Sequence, residues 1–179
     1  MINTIKFMNL SRLIVLLILS ASLWGDSARA QTTDAVQELG PETGLPIPRF
    51  VALKVDEARM RSQPSTDHAI LFIYLREGLP MKVLEERGDW RRVVDHEGVK
   101  GWMKNTILTN DRTFRIIAPI SDMHLRADLQ SPVLAELQEG VIGNISLCRD
   151  DGWCRISVQQ VAGWVRSEDL WGVFPGESF

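Results

Sequence analysis

The sequence predicts an all-β protein: two tandem, small, partly open β-barrels that follow a signal peptide and an extended leader. Three observations predict this fold class. The chain between residues 50 and 171 aligns with itself at a shift of 62 to 65 residues, and such self-similarity indicates a duplicated unit. The apolar runs within each copy are short, rich in β-branched residues and bounded by glycine or proline. No stretch there has enough 3.6-residue periodicity for a long helix, and barrel closure hides the edges of a small sheet.

Residues 1–30 have the features of a secretion signal. Lys6 and Arg12 give a positive start, an apolar run of twelve residues (Leu13–Trp24) follows, and Ala28-Arg29-Ala30 predicts cleavage after Ala30. A helix of that length rises only about 18 Å, less than the ~30 Å hydrocarbon core of a bilayer. We therefore expect a mature form without a membrane span that is periplasmic or secreted. The alternative is that the segment is retained as a membrane anchor.

The charge of the mature chain disfavours two classes of partner. The full chain has a formal net charge of −3, and residues 1–30 contribute +2, so the mature chain carries −5. It also contains no basic runs. A mildly acidic protein of this kind is a poor candidate for binding nucleic acid or an anionic membrane surface.

Residues 31–49 are expected to form an extended leader without a core of its own. The segment is polar at first and then contains three prolines and two glycines, which favour turns and polyproline-like backbone. An alternative is that Leu45 and Ile47 pack along the first barrel as an additional edge segment.

The duplication assigns residues 50–110 to the first domain, residues 111–171 to the second and residues 172–179 to a C-terminal tail. The connection between the domains, TNDRTF at residues 109–114, is short, so we expect the copies to pack against each other. The matching pairs of segments are Met60-Arg61 with Leu125-Arg126, residues 75–78 with 137–140, Gly88-Asp89-Trp90 with Asp151-Gly152-Trp153, and Gly101-Trp102 with Gly163-Trp164.

Four strands are predicted in the central part of each copy. In the first copy they span residues 70–75, 81–86, 90–94 and 99–103, and in the second residues 133–137, 141–148, 153–158 and 161–165. Short 3₁₀ turns are expected near residues 104–107 and 166–169.

Each copy resembles a bacterial Src-homology-3-like (SH3-like) domain. The matching elements are MRSQPST at residues 60–66, the turn Arg76-Glu77-Gly78, Gly88-x-Trp90, and Gly101-Trp102-Met103. The whole arrangement is similar to two-repeat secreted proteins of Gram-negative bacteria. The second copy departs from the pattern because it keeps Arg126 but places its proline six residues later, at Pro132. The resemblance implies binding of peptidoglycan, its peptide stems or an envelope protein, and it implies no catalysis.

Two tryptophan–arginine pairs are the candidate ligand-binding groups. Alternation along residues 153–158 places Cys154 and Ile156 toward the core, and Trp153 and Arg155 on the outer face. An indole beside a guanidinium can hold a peptide or a sugar. The alternative is that the indoles only cover a barrel end or the interface between the domains. The complete candidate set is Trp90, Arg92, Trp153, Arg155, Arg61 and Trp102.

Cys148 and Cys154 are predicted to form a disulfide across a hairpin turn, because secreted proteins are oxidised. Simple alternation places Cys148 on the wrong face, so correct pairing requires a bulge. A catalytic cysteine would need a histidine base beside it. One cysteine pair with a scattered His124 is not a zinc ligand set, so we expect no metal and no cofactor.

No enzymatic motif is present, and we expect the protein not to be an enzyme. The leading function is a secreted module that binds peptidoglycan or an envelope peptide. The alternative is a periplasmic adaptor that docks an envelope enzyme or membrane complex; a cryptic wall hydrolase is disfavoured. The histidines, at positions 68, 96 and 124, are expected in solvated loops. A charged hairpin surface is expected at Glu85, Glu86, Asp89, Asp95 and Glu97.

Overall fold

A computed structural model describes residues 37–179, and the predicted signal peptide and residues 31–36 lie outside the described part. These residues form two seven-stranded antiparallel sheets with the same strand order. Among residues 37–179 no helix has both the length and the apolar character needed to cross a bilayer.

The first barrel contains seven strands and one 3₁₀ turn. In spatial order the strands run β3-β2-β6-β5-β4-β1-β7, and each pairs antiparallel with its neighbour. The 3₁₀ turn Asn105–Ile107 connects β6 to β7. The strands are β1 (Arg49–Leu53), β2 (Ala58–Arg61), β3 (Ile70–Tyr74), β4 (Pro80–Arg87), β5 (Trp90–Val94), β6 (Lys100–Lys104) and β7 (Leu108–Thr109).

The second barrel repeats this topology. Its order, β10-β9-β13-β12-β11-β8-β14, is the order of the first sheet advanced by seven strands, and its 3₁₀ turn is Ser167–Asp169. The predicted fold class is therefore confirmed. The strands are β8 (Thr113–Ile116), β9 (Ile120–His124), β10 (Val133–Gln138), β11 (Ile142–Cys148), β12 (Trp153–Val158), β13 (Val161–Arg166) and β14 (Leu170–Trp171).

Each barrel has its own apolar core, which includes a fully buried methionine from its second strand. A Cβ atom at Gly101 would overlap the side chain of Met60, and a Cβ at Gly163 would overlap that of Met123. Glycine at the Gly-Trp motif therefore lets the sixth strand of each barrel approach the second. The first core includes Val51, Leu53, Met60, Met81, Val83, Val93 and Met103, and the second includes Phe114, Ile116, Met123, Ile145, Ile156 and Val165.

This packing corrects the sequence alignment of the repeats. The predicted match of Met60-Arg61 with Leu125-Arg126 is wrong by two residues, because the structure places His124 opposite Trp164 as it places Arg61 opposite Trp102. Arg61 donates from Nη1 to the carbonyl of His68, and the His124 ring nitrogen Nδ1 bonds the carbonyl of Ser131, seven residues on in both cases. The sequence alignment was wrong because it matched the two arginines, Arg61 and Arg126. The observed alignment instead matches the two methionines that pack against the glycine of the Gly-Trp motif.

The end of the leader folds back onto the first barrel. Leu39 and Pro46 form a β-bridge, and Ile47 is buried in the first core. The alternative of an additional packed segment is thus confirmed for Ile47, while Leu45 is exposed.

Glu86 holds this segment in place. Its carboxylate accepts hydrogen bonds from the backbone N–H groups of Glu42 and Thr43 (both 3.0 Å), from the Thr43 hydroxyl (2.7 Å) and from Arg49 Nη2 (2.8 Å). Burial raises the pKa of Glu86, but these donors outweigh it and lower the pKa to about 2. We call Glu86 with Glu42, Thr43 and Arg49 the Glu86 clasp.

Three residues expected at the solvated surface are buried instead. Glu86 lies in the clasp, and Asp95 accepts hydrogen bonds from the Tyr74 hydroxyl (2.7 Å) and from the N–H of Val99 (2.8 Å). Burial, and then this carboxylate, raise the pKa of the Tyr74 hydroxyl. His124 is buried in β9, so the expectation of a solvated loop is wrong for it. The carboxylates of Glu86 and Asp95 can be buried because each accepts hydrogen bonds from several donors.

The two barrels contact each other through aromatic side chains, as expected from the short connection. Trp171 donates from its indole Nε1 to the carbonyl of Pro80 (3.0 Å). The Phe50 ring meets Trp171 edge-on at 5.2 Å and lies 4.8 Å from the Phe174 ring, between centroids. Residues 36–179 form one compact unit.

The C-terminal tail is also docked. Phe179 and Cys148 exchange two backbone hydrogen bonds, and Arg112 pairs with the Glu177 carboxylate at 2.8 Å. Burial raises the pKa of Glu177, but hydrogen bonds from Arg112 and the Phe174 N–H lower it overall. The tail thus contacts the residue just before β8 and the end of β11.

The predicted disulfide between Cys148 and Cys154 is present. The strand pairing shifts between Ile145 and Leu147, and this bulge brings Cys148 opposite Cys154. The bulge that simple alternation required is therefore confirmed.

Candidate binding site

The first barrel gathers four of the predicted site residues on one sheet face. Trp102 lies opposite both Arg92 on β5 and Arg61 on β2, and Trp90 lies opposite Lys104. Directly opposed residues point to the same side of a sheet. Arg61, Trp90, Arg92, Trp102 and Lys104 therefore line one surface, which we call the first outer face.

One groove on this face runs over Trp90. It has a volume of about 270 Å³, and the half-buried indole forms part of its wall. The ammonium of Lys104 lies 5.8 Å from the centroid of the Trp90 ring, within the range of a cation–π contact. The residues lining this Trp90 groove are Glu57, Arg59, Arg61, Thr66, Trp90, Lys104 and Ile107.

A second groove lies beside Trp102 and has a volume of about 290 Å³. Here the indole is largely covered: Trp102 is 6% exposed, and the Arg87 guanidinium lies 5.1 Å from its ring centroid. Glu85 pairs with Arg87 at 3.1 Å and with Arg92 at 3.5 Å. The residues lining this Trp102 groove are Ser62, Gln63, Glu85, Arg87, Arg92, Lys100, Gly101 and Trp102.

The corresponding surface of the second barrel is closed at Trp153, whereas Trp164 is half-buried. Trp153 lies opposite Arg166, and Arg155 opposite Trp164, as their counterparts do in the first barrel. Trp153 is only 6% exposed, because the Arg166 guanidinium covers its ring at 5.2 Å and the His124 ring meets it edge-on at 5.5 Å. Arg155 is exposed. With His124, these four residues form the second outer face, which has no open indole at Trp153.

The sequence analysis missed four cations of the two grooves: Arg59, Arg87, Lys100 and Lys104. Alternation could have found three of them. Arg59 lies two residues before Arg61 on β2, and Lys100 and Lys104 lie two residues before and after Trp102 on β6, so each shares a face with a residue already singled out. Arg87 is the last residue of β4, and no residue singled out on that strand indicated its face.

A third cleft, of about 460 Å³, lies beside the leader, but its charges are engaged. Arg49 and Arg91 on its wall both contact the Glu86 carboxylate, at 2.8 and 3.4 Å. Within residues 37–179, no group of three or more histidine, cysteine, aspartate or glutamate side chains is placed to hold a metal ion. The outer face of the first barrel is therefore the best candidate for binding.

Comparison with known sequences identifies the repeated unit. The bacterial SH3 domain family matches residues 54–109 and 121–172. The chain is also 24% identical over 127 residues to YrvJ of Bacillus subtilis (strain 168), a protein assigned by its name to the N-acetylmuramoyl-L-alanine amidases. That match covers 65% of this chain and 24% of YrvJ, so the chain spans about a quarter of its relative.

Comparison with solved structures finds similar chains, among them two NlpC proteins and one NlpC/P60 family protein. NlpC2 and NlpC1 from Trichomonas vaginalis each give a TM-score of 0.33 at 10% identity, with 69% and 74% of this chain and 48% of each of those chains covered. An NlpC/P60 family protein from Bacillus cereus ATCC 10987 gives a TM-score of 0.31 at 14% identity, with 68% of this chain and 55% of that one covered.

Proposed function

Since this chain belongs to the bacterial SH3 domain family, we propose that it is a non-catalytic binding module that recognises peptidoglycan or a peptide of the cell envelope. The observation that carries the proposal is the open groove over Trp90. A concave, partly apolar groove with a few polar groups directed into it is the usual form of a ligand site. An indole supplies apolar contact area, and neighbouring guanidinium and ammonium groups supply directed hydrogen bonds.

The relative supports the wall as the target. N-acetylmuramoyl-L-alanine is the junction between the glycan strand and the peptide stem of peptidoglycan, and the repeats of this chain are similar to part of a protein named for that junction. A module that binds near its substrate is a common companion of a wall enzyme. In this chain the same module would act by binding alone.

The compartment required by this function agrees with two features of the chain. The segment of residues 1–30 has the pattern of a secretion signal. The disulfide Cys148–Cys154 is of a kind that persists in oxidising compartments. We propose a periplasmic or extracellular location.

The test is co-sedimentation of the secreted form with purified peptidoglycan sacculi. Wild-type protein should bind saturably, and Trp90→Ala should weaken binding at least about tenfold, because a central aromatic contact often contributes 2 kcal/mol or more. Trp164→Ala is the matched control, since Trp164 is a similarly half-buried indole on the second outer face, with the Arg149 guanidinium 5.8 Å from its ring centroid. This control should bind like wild type.

Two other outcomes would change the functional assignment. Absence of sedimentation in every variant, with folding intact by circular dichroism, would remove the wall proposal. It would favour the alternative, an adaptor for an envelope protein, which the exposed apolar residues Ile70–Ile73 of β3 also favour. Release of soluble wall fragments during the incubation would contradict the non-catalytic assignment.

A further inference from the structure

We propose that the first outer face selects an acidic peptide, whose carboxylates contact the cations of the two grooves while its backbone and apolar atoms lie against Trp90. The inference rests on the proposed function and narrows it. Within peptidoglycan it assigns recognition to the carboxylate-bearing peptide stems and not to the glycan strand.

Local charge is the first observation. The two grooves together are lined by six cationic and two anionic side chains, a net charge of +4 on a chain whose formal net charge is −3. A groove lined by one sign of charge raises the local concentration of oppositely charged ligands. The cations are Arg59, Arg61, Arg87, Arg92, Lys100 and Lys104, and the anions are Glu57 and Glu85.

The second observation is which cations are left for a ligand. Glu57 engages Arg59 at 2.8 Å, and Glu85 engages Arg87 and Arg92. Among the described residues, Arg61, Lys100 and Lys104 have no carboxylate within 4.0 Å. Arg61 uses Nη1 to donate to the His68 carbonyl at 2.7 Å, which fixes the guanidinium and leaves its other donors for a carboxylate.

The aromatic geometry argues for a peptide over a sugar ring. A sugar stacks on a bare aromatic face, but the Trp102 ring is covered by Arg87, and the Trp90 ring has the Lys104 ammonium near it. A carboxylate, by contrast, can contact Lys104 while its own chain passes along the indole. The cations beside the rings thus add to carboxylate binding and obstruct flat stacking.

The second barrel provides an internal comparison. Two of its cations are engaged by its own acids: Arg149 pairs with Asp151, and Arg166 with Glu168 at 3.7 Å. Arg166 also covers Trp153. Arg155, opposite Trp164, is exposed and is the single cation of the second outer face that, among the described residues, has no carboxylate within 4.0 Å. The two grooves of the first barrel contain three such cations, so binding of an acidic peptide is assigned to the first barrel.

The experiment compares native sacculi with sacculi whose carboxylates have been converted to amides by carbodiimide and ammonia. Wild-type protein should bind amidated sacculi at least about tenfold more weakly, the loss of one charge-assisted hydrogen bond or more. Lys104→Gln and Arg61→Gln should each weaken binding to native sacculi several-fold and have little effect on amidated sacculi. Arg155→Gln, an exposed cation on the second outer face, is the matched control and should change neither.

A soluble tetrapeptide of glutamate, with and without amidated side chains, separates the two sources of an acidic peptide. Competition by the free acid but not by the amide supports the inference. Equal binding of native and amidated sacculi would overturn it and leave wall binding intact. If no sacculi bind but the acidic tetrapeptide binds in an Arg61-dependent way, the inference holds and the ligand is an envelope peptide outside the wall. Binding to neither would overturn both.

Discussion

At the scale of single residues, the Glu86 clasp shows how one buried charge organises a segment that has no core. The Glu86 side chain is fully shielded from solvent, yet it remains ionised because Arg49, the Thr43 hydroxyl and two backbone N–H groups all donate to it. The clasp connects the leader to β1 and β4. Removing the charge would leave Arg49 and Arg91 without their acid.

We expect Glu86→Gln to lower the free energy of unfolding at pH 7 by about 3 kcal/mol, as for loss of one partner from a buried ion pair. Because the folded pKa of about 2 lies below the value in the unfolded chain, the wild-type advantage is complete above that unfolded value. It falls away as the pH drops toward 2. Urea unfolding of both proteins at pH 7, 4 and 3 measures the difference in the free energy of unfolding and its dependence on pH. Glu85→Gln, at a solvent-accessible position of the same strand, should stay within about 0.5 kcal/mol of wild type.

The burial of Glu86 could not be predicted from the sequence, whereas the outward direction of Arg92 could. Arg92 and Val93 obey simple alternation on β5, which is a local rule. The hydrogen-bond donors to Glu86 lie 37 to 44 residues away. Arg91, which pairs with it at 3.4 Å, is near in sequence, but one adjacent cation does not indicate that a carboxylate is buried.

At the scale of elements, the fifth and sixth strands of each barrel form a hairpin that is part of the scaffold in both copies. The four strands predicted in each copy agree with the structure within one residue at every end, because short apolar runs bounded by glycine are strong signals. The first two strands and the short last strand of each barrel were not predicted. The alignment of β9 with β2 was predicted wrongly, since Met123 and Leu125 are both apolar and either could be the buried counterpart of Met60. Only the contact with Gly163 distinguishes them.

The disulfide is the element-scale feature with the clearest prediction. Cys148→Ser combined with Cys154→Ser should lower the stability of the second barrel by about 2 kcal/mol, since the bond closes a loop of only about seven residues. Urea unfolding with and without reductant measures this. The double variant should be insensitive to reductant. The first barrel has no cysteine and serves as the internal control. An effect below about 0.5 kcal/mol would show that the bulged hairpin holds its shape without the bond.

At the scale of the whole molecule, two similar barrels have divided their roles. They share topology and the Gly-Trp motif, but among the described residues the groove over the half-buried Trp90 and its neighbour on the first barrel hold three cations without a carboxylate partner, whereas the second outer face holds one, Arg155. The duplication and the contact between copies could be predicted from the repeat and its short connection. The covering of Trp153 in the second barrel could not be predicted, because it depends on Arg166 and His124, which come from different strands.

The contact between barrels predicts coupled motion. Nuclear magnetic resonance relaxation should give one rotational correlation time for residues of both barrels. Trp171→Ala removes the hydrogen bond to Pro80 and the edge contact with Phe50. It should separate the two times and reduce the coupling free energy by about 1–2 kcal/mol. Trp164→Ala should not. Two distinct times in the wild-type protein would contradict the interface.

The central claim is that the first outer face binds the ligand, and resonance mapping tests it most directly. Soluble fragments of peptidoglycan with free peptide stems would be added to ¹⁵N-labelled protein while the indole N–H signals of Trp90, Trp102, Trp153, Trp164 and Trp171 are followed. The account predicts that Trp90 and the amides of Arg59, Arg61 and Lys104 shift, while Trp153, Trp164 and Trp171 do not. Shifts confined to the second barrel or to β3, with Trp90 unchanged, would contradict it.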